Sequence, residues 1–450
     1  MLKSMKTSPE QILNGRVLPT LLRLSVPSII AFTFHTTFNF VDRFYVSRLG
    51  AVELGALGMA FTVQSILIAI GSGIGIGASS LIARFIGAKR YDRANNAAEH
   101  TLLIILGLSI LFSIAGPLLS RPLFLLLGAS QQMLPFILSY INIILLGSFF
   151  QFFSMIGNGI LRGEGNTVTP MQVMVVGTLV NIVLDPLLIF GIGPFPVMGV
   201  QGAAIATVIG RAASCILLAG SLFGRKNVVA LNMKAFRYDA SIVRGIIGVG
   251  GPTTVGQLSN ALGLTLLFIL LQPYGDMAKS AFTLGFTYQQ VAILPIIGIS
   301  QGTLTMIGQN YGACNVPRIK EVIQKALLFC GALMALLGLM MILGRGALVR
   351  VFSDSQEVNR IGRTMLLIFA LGFPFLAGRF VLSSFFQGLG KGFTALFLNF
   401  SYIILFAMPL AILLSQMIGI EGIWSGIVLG NLASAVIGLA LTVRTGSRLD

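Results

Sequence analysis

A chain of 450 residues that is 55% hydrophobic, only 10% charged and has a mean hydropathy of +0.91 is excluded from the soluble globular class, where about 25% of residues are charged. Its formal charge of +16 is scattered over loop after loop instead of gathered on one face. This sets aside a nucleic-acid partner and assigns the basic residues to anchoring beside anionic lipid. The three cysteines, Cys215, Cys314 and Cys330, lack metal-ligand spacing, and His35 and His100 are too scattered for a ligand cluster.

At about 20 apolar residues per span, the chain predicts twelve transmembrane helices. They fall near 18–44, 53–84, 95–118, 133–161, 167–190 and 199–223, then 242–272, 279–310, 320–343, 358–387, 393–415 and 420–443. A polar, basic start of some 17 residues precedes the first apolar run and shows no cleavable-signal pattern. The longest polar connection, residues 224–240, is the expected cytoplasmic linker between an N-lobe (1–223) and a C-lobe (241–450). With the N-terminus inside, cytoplasmic segments hold twenty basic residues against eight outside, so both termini are expected in the cytoplasm. Arg211 and Arg379 are left over, inside predicted helices.

Of the 14 acids, only Asp42 and Asp185 look embedded; most of the others fall in short connections or at the ends of spans. A carboxylate at the centre of a span costs roughly 2.5–3.5 kcal/mol on insertion scales, so it normally faces a polar cavity or an ion path. Asn181 precedes Asp185 by one helical turn and shares its face. Pro186 follows, and its ring displaces the carbonyl of Ile182, which predicts a bend. In the first helix His35, Phe38, Asn39 and Asp42 share a face. Asp42 either pairs with Arg43 or Arg48 near the helix end or meets Asp185 across the N-lobe. Two carboxyls held close would suit proton exchange or, with amide and hydroxyl neighbours, Na+. Thr178, Asn158 and Thr207 are the candidates to complete such a network, Thr207 lying among small residues that allow close helix approach.

The glycine run GSGIGIGAS at 71–79 has no preceding strand and falls mid-span, so it reads as helix packing, not nucleotide binding. The C-lobe has no embedded acid; its polar residues include Gln257, Asn260, Gln289 and Arg379. With Phe38 and Arg211 these are the candidates for lining a substrate cleft.

The chain repeats itself at an offset of 220–226 residues. SVPS at 25–28 finds GPTT at 251–254, and GIGIGASSLIARFIGAKR at 73–90 finds GISQGTLTMIGQNYGACN at 298–315. RGEGNTVT at 162–169 finds QGLGKGFT at 387–394, and GVQGAAIATVIG at 199–210 finds GIEGIWSGIVLG at 419–430. Six spans per half give both halves one orientation. The expected fold is an all-α membrane protein of twelve transmembrane helices, in two parallel-repeat six-helix lobes around a central cleft.

This pattern resembles the multidrug and toxic compound extrusion (MATE) family over essentially the whole chain. The likeness rests on GAKRYDRA at 87–94 with its echo at 311–321, on RGEGNT at 162–167, and above all on NxxxDP at 181–186 together with Asp42. It is similar to the DinF-like branch, whose coupling site lies in the N-lobe. The resemblance implies a cation site of Asp42, Asn181, Asp185 and Thr207, with Asn158 in its hydrogen-bond network. Phe38 stands where that branch can carry a tyrosine.

The implied function is a secondary active antiporter, not an enzyme. It would export small organic, cationic or amphipathic solutes in exchange for H+ or Na+ by alternating access. It would need no cofactor and would sit as a multi-pass monomer in the cytoplasmic membrane. The alternative is a flippase for a lipid-linked saccharide, which would want Arg211 and Arg379 in a basic cleft. An intramembrane enzyme would have only His35 with Asp42 to work with.

Overall fold

The computed structural model describes residues 7–224, 227–232, 236–351 and 355–449. The side chains of Phe38, Asn39 and Arg43 lie outside this description, and with them the expectations placed on Phe38 and Asn39. The described residues are almost entirely helical. After the short α1 (Pro9–Asn14) come α2 (Val17–Ser47), α3 (Ala51–Gly87), α4 (Tyr91–Leu126), α5 (Leu134–Leu146), α6 (Ser148–Glu164), α7 (Val168–Phe190) and α8 (Val200–Leu222). The second half continues with α9 (Ala240–Leu270), α10 (Gly275–Gly312), α11 (Val316–Arg350), α12 (Gln356–Gly388), α13 (Gly392–Phe400), α14 (Met408–Ile418) and α15 (Ile420–Gly446). Eleven stretches are long and apolar enough to cross a membrane, and the bent pair α5–α6 makes a twelfth. Each of the twelve expected spans is found.

The repeat recurs in the backbone. The two non-glycine residues with positive φ among those described, Lys89 (56°) and Cys314 (55°), occupy matching places in the two halves. Gly165 (97°) matches Gly390 (81°), and Gly199 (55°) matches Gly419 (67°). The same turn bonds accompany the first pair: Arg90 N–H donates to Phe85 O, and Asn315 N–H to Asn310 O, each at 2.9 Å.

By its packing the chain forms two compact units. One holds Ile30–Gly251, the other Pro9–Ile29 with Pro252–Asp450. The division therefore falls inside α2 and α9, near Pro27 and at Pro252, whereas the sequence placed it at the 224–240 connection. The reason lies in that connection, whose backbone is bonded to the first unit. Val229 N–H donates to Glu164 Oε2 (3.1 Å), Ala230 N–H to Asn95 Oδ1 (2.9 Å), and Asn232 N–H to Glu99 Oε1 (2.8 Å). Asp239 N–H donates to His100 Nε2 at 2.9 Å, with Phe236 and Tyr238 against the imidazole. Glu99 and Glu164 are consequently buried, which corrects the expectation that Asp42 and Asp185 alone are withdrawn from water. These two acids sit beneath a strap that supplies N–H donors, so their desolvation is offset by charge-assisted bonds.

Two packing features position the first unit's interior. The fourth span, expected as one helix over 133–161, breaks at Gly147 with a 53° bend. A Cβ there would press on Val208 of α8, and the carbonyls of Leu145 and Leu146 receive the Ser113 hydroxyl at 3.1 and 3.3 Å. A neighbouring serine thus re-satisfies backbone that the break frees, as non-helical backbone within a membrane requires. The glycine run is used for packing: Gly75 and Gly159 bring the backbones of α3 and α6 together so closely that a Cβ on Gly159 would stand 2.2 Å from Gly75 O. Gly177 and Gly210 do the same for α7 and α8, where a Cβ on Gly210 would stand 2.7 Å from Gly177 O.

Candidate functional site

The Gly177–Gly210 approach sets the register of α7 against α8, and that register decides what meets inside the first unit. Asn181 and Asp185, one turn apart on α7, face Thr207 on α8. Asn181 Nδ2 donates to Asp185 Oδ1 at 3.2 Å and lies 3.5 Å from Thr207 Oγ1. The Tyr140 hydroxyl, on α5, hydrogen-bonds Thr207 as well. Asp42, on α2, lies within electrostatic reach of Asp185 and of Tyr140. Asp42, Tyr140, Asn181, Asp185 and Thr207 are all buried, Asp185 completely.

The pocket is rich in acceptors. Asp185 Oδ2 and Asn181 Oδ1 are buried and make no hydrogen bond to any other described group. A buried acceptor left without a donor costs about 1–3 kcal/mol, more when charged. Oxygens in this condition are suited to receive a proton or to coordinate a small hard cation. No group of three His, Cys, Asp or Glu side chains with metal-holding geometry occurs among the described residues.

The other expected residues divide. His35 is half-buried on α2 and within electrostatic reach of Arg211. Thr178 is buried one turn before Asn181 and joins no hydrogen bond among the described residues. Asn158 is buried on α6 with its Oδ1 unbonded among the described groups. Pro186 lies within α7, which runs helical past it to Phe190. Arg211, expected at a cleft, joins the acid-containing group: its Nη1 donates to Gln151 Oε1 at 2.9 Å, and its charge acts on Asp42 and Tyr140.

Tyr140 and Gln151 are the members that sequence reasoning missed. Both belong to the broken fourth span. A tyrosine and a glutamine inside an apolar run are the signal that could have exposed them.

In the second unit Gln257 and Gln289 are half-buried, Asn260 is exposed and Arg379 is buried. Arg379 Nε donates to Asn431 Oδ1 (2.9 Å) and Nη1 to Asn399 Oδ1 (2.6 Å). Its guanidinium also lies 4.2 Å from the Tyr402 ring and 4.7 Å from the Phe380 ring. Tyr402 belongs to a π-helical turn, Ser401–Ala407, between α13 and α14.

The MatE family model matches the chain twice, over residues 27–187 and 252–413, one copy in each half. The chain belongs to the MatE family. Members and structural neighbours of this family are transporters, not enzymes. Among curated relatives, this MatE chain is 29% identical over 427 residues to the FAD transporter of Shewanella oneidensis, covering 94% of this chain and 93% of that one. It is 24% identical over 429 residues to the multidrug export protein MepA of Staphylococcus aureus, covering 93% and 92%. A solved outward-facing multidrug resistance MATE family transporter of the MOP superfamily superposes with a TM-score of 0.93. It shows 30% identity and 99% coverage of both chains. The matches confirm the family resemblance and the twelve-helix architecture read from the sequence.

Proposed function

We propose that this MatE transporter is an antiporter that exports small organic solutes in exchange for H+ or Na+, with the exchange coupled in the first unit at Asp42 and Asp185. The observation that carries the reading is the convergence of two membrane-embedded carboxylates with an amide and two hydroxyls, leaving Asp185 Oδ2 and Asn181 Oδ1 without hydrogen bonds among the described groups. An N-lobe site is also what the DinF-like resemblance implies. The names of the two relatives support an organic cargo and do not favour the lipid-flippase alternative.

In the proposed cycle the ionised acids belong to the state that accepts cargo. A cation arriving at Asp185 neutralises it and removes the need for Asn181 as a donor. The carbonyl of Ile182, freed by Pro186, gives α7 a place to bend, and that bend alternates access and releases cargo. Each cation moving inward gains about 2.3 kcal/mol per 100 mV of membrane potential, before any concentration gradient. The orientation with both termini in the cytoplasm follows from the basic residues of the connections. A monomer in the cytoplasmic membrane is sufficient for this cycle, since every coupling residue comes from one unit of one chain.

Purified protein in liposomes, with pH and sodium gradients imposed separately, tests the reading. Export of ethidium or of a flavin nucleotide should accelerate under one of the two gradients. Transport that ignores both would refute the antiporter.

A further inference from the structure

An open cavity of about 570 Å³ lies where α11 ends and α12 begins, lined by Arg350 of α11 and by Gln356, Asn359, Arg360, Arg363 and Thr364 of α12. The α12 residues recur at intervals of three and four, so one face of the helix carries them all. Arg363 lays its guanidinium against α11 at Gly346, where a Cβ would stand 3.9 Å from its Cζ. Arg350 follows Gly346 by one turn on the same face of α11. Three arginines therefore line one recess, and acids do little to neutralise them. Arg360 bonds to Glu357 at 3.0 Å with both side chains exposed, an ion pair of small worth in water. Arg350 and Arg363 form no ion pair among the described residues, and Arg363 Nε is buried without a hydrogen-bond partner among them. The Thr364 hydroxyl and the Asn359 amide donate to α12's own carbonyls, at Arg360 O (3.3 Å) and Ser355 O (2.9 Å). The donors left for a ligand belong chiefly to the arginines.

We propose that this recess binds the phosphodiester head of an anionic phospholipid. Guanidinium groups present paired N–H donors in a fixed fork that matches phosphate oxygens, and charge-assisted bonds of this kind are the strong ones. The position selects a lipid over a free phosphate. Arg350 ends one helix long and apolar enough to cross a membrane and Gln356 begins the next, so the recess stands near headgroup level. Leu336 and Leu343 precede Arg350 by two heptads and one heptad, on the same face of α11, and with Met340 they are exposed. An acyl chain can follow this stripe while its head fills the recess. The concentration of charge is itself unusual. With both termini cytoplasmic, Arg345, Arg350, Arg360 and Arg363 are half of the basic residues expected outside, where such residues are otherwise sparse. A bound anionic lipid accounts for their gathering at one turn.

The test is the rise in unfolding midpoint of the delipidated full chain, in neutral detergent, as dioctanoyl phosphatidylglycerol is added. Dioctanoyl phosphatidylcholine and inorganic phosphate form the other two arms. Phosphatidylglycerol should stabilise saturably, and the other two should need at least about tenfold higher concentration. Arg363→Gln should raise the half-saturating phosphatidylglycerol concentration at least about tenfold, through the loss of charge-assisted bonds. Arg345→Gln removes a neighbouring charge that does not line the recess, and should leave that concentration within about twofold. No saturable response, or equal responses to the two lipids, overturns the proposal. Inorganic phosphate matching phosphatidylglycerol overturns the lipid as ligand, and equal losses in the two variants overturn the recess as the site. Should Arg363→Gln fail to fold, a photoreactive phosphatidylglycerol on the wild type decides. Its crosslinks should fall within residues 336–364, and crosslinks confined to other segments overturn the assignment.

Discussion

The two halves of the molecule share a backbone plan and differ in what they bury. Each half has the same turns, down to the positive φ of Lys89 and Cys314, and each places one guanidinium between its fourth and sixth spans. In the first half the arginine comes from the sixth span, Arg211, and bonds to the fourth. In the second it comes from the fourth, Arg379, and bonds to Asn431, which occupies the repeat position of Arg211. Arg211 bonds to Gln151 and lies within electrostatic reach of Tyr140 and Asp42; around Arg379 the described neighbours are two amides and two aromatic rings. The duplicated scaffold thus sets its arginine beside an acid in one half and among amides and aromatic rings in the other. Amide dipoles and ring faces can hold a permanent cation, whereas a carboxylate can also take up and release a proton or a metal cation.

The comparison can be broken most forcefully at Asp42. Replacing it with Asn removes one of the two carboxylates proposed to take up the coupling cation. The half-saturating cation concentration for ethidium export should then rise by at least about tenfold, the equivalent of 1.4 kcal/mol. An unchanged concentration dependence would place the exchangeable charge elsewhere. In the other half, Arg379→Leu should act on stability. It strips the donors from Asn431 and Asn399 oxygens, each left unpaired at about 1–3 kcal/mol, so the midpoint of thermal unfolding in detergent should fall clearly. Any protein that survives should keep the wild-type choice of driving cation, and a switch of cation would dissolve the contrast between the halves.

A gentler intervention separates helices without touching charge. Gly210→Val forces α7 from α8, with an overpacking cost of about 1–3 kcal/mol. It should widen the gap between Asn181 and Thr207 and weaken coupling more than expression, as read from the ratio of gradient-driven export to protein yield. The matched Gly430→Val, which opens α15 from Ala407, should lower yield without altering that ratio.

The smallest effect belongs to the strap. The Asp239 carboxylate lies below the usual carboxylate range because Ser241 hydrogen-bonds it, with the N–H at 2.8 Å. A depressed value in the folded state means that this contribution is present above the ordinary carboxylate range and is lost as pH falls through the lowered value. Amide exchange at the start of α9 should quicken under strong acid in the wild type and show less pH dependence in Asp239→Asn.

How much of this was legible in the sequence follows from physical range. Spans declare themselves because lipid demands long apolar runs, and the repeat because it is written twice. NxxxDP was legible because a membrane-embedded acid is expensive and its amide lies one turn away. The break at Gly147 was not legible. It depends on Val208 and Ser113 from other helices, and with it went Tyr140 and Gln151. Burial of Glu99 and Glu164 was hidden for the same reason, since the donors come from a strap more than sixty residues distant in the chain. Arg211 could be seen as misplaced in an apolar helix, but its partner could not, because Gln151 sits on a span whose path the sequence left straight.

The most direct test of the account is Asp185→Asn, purified, shown to be folded, and reconstituted beside the wild type with pH and sodium gradients imposed in turn. The account predicts that the variant inserts normally and that its ethidium transport no longer responds to the gradient that drives the wild type. A variant that follows that gradient as the wild type does would contradict it.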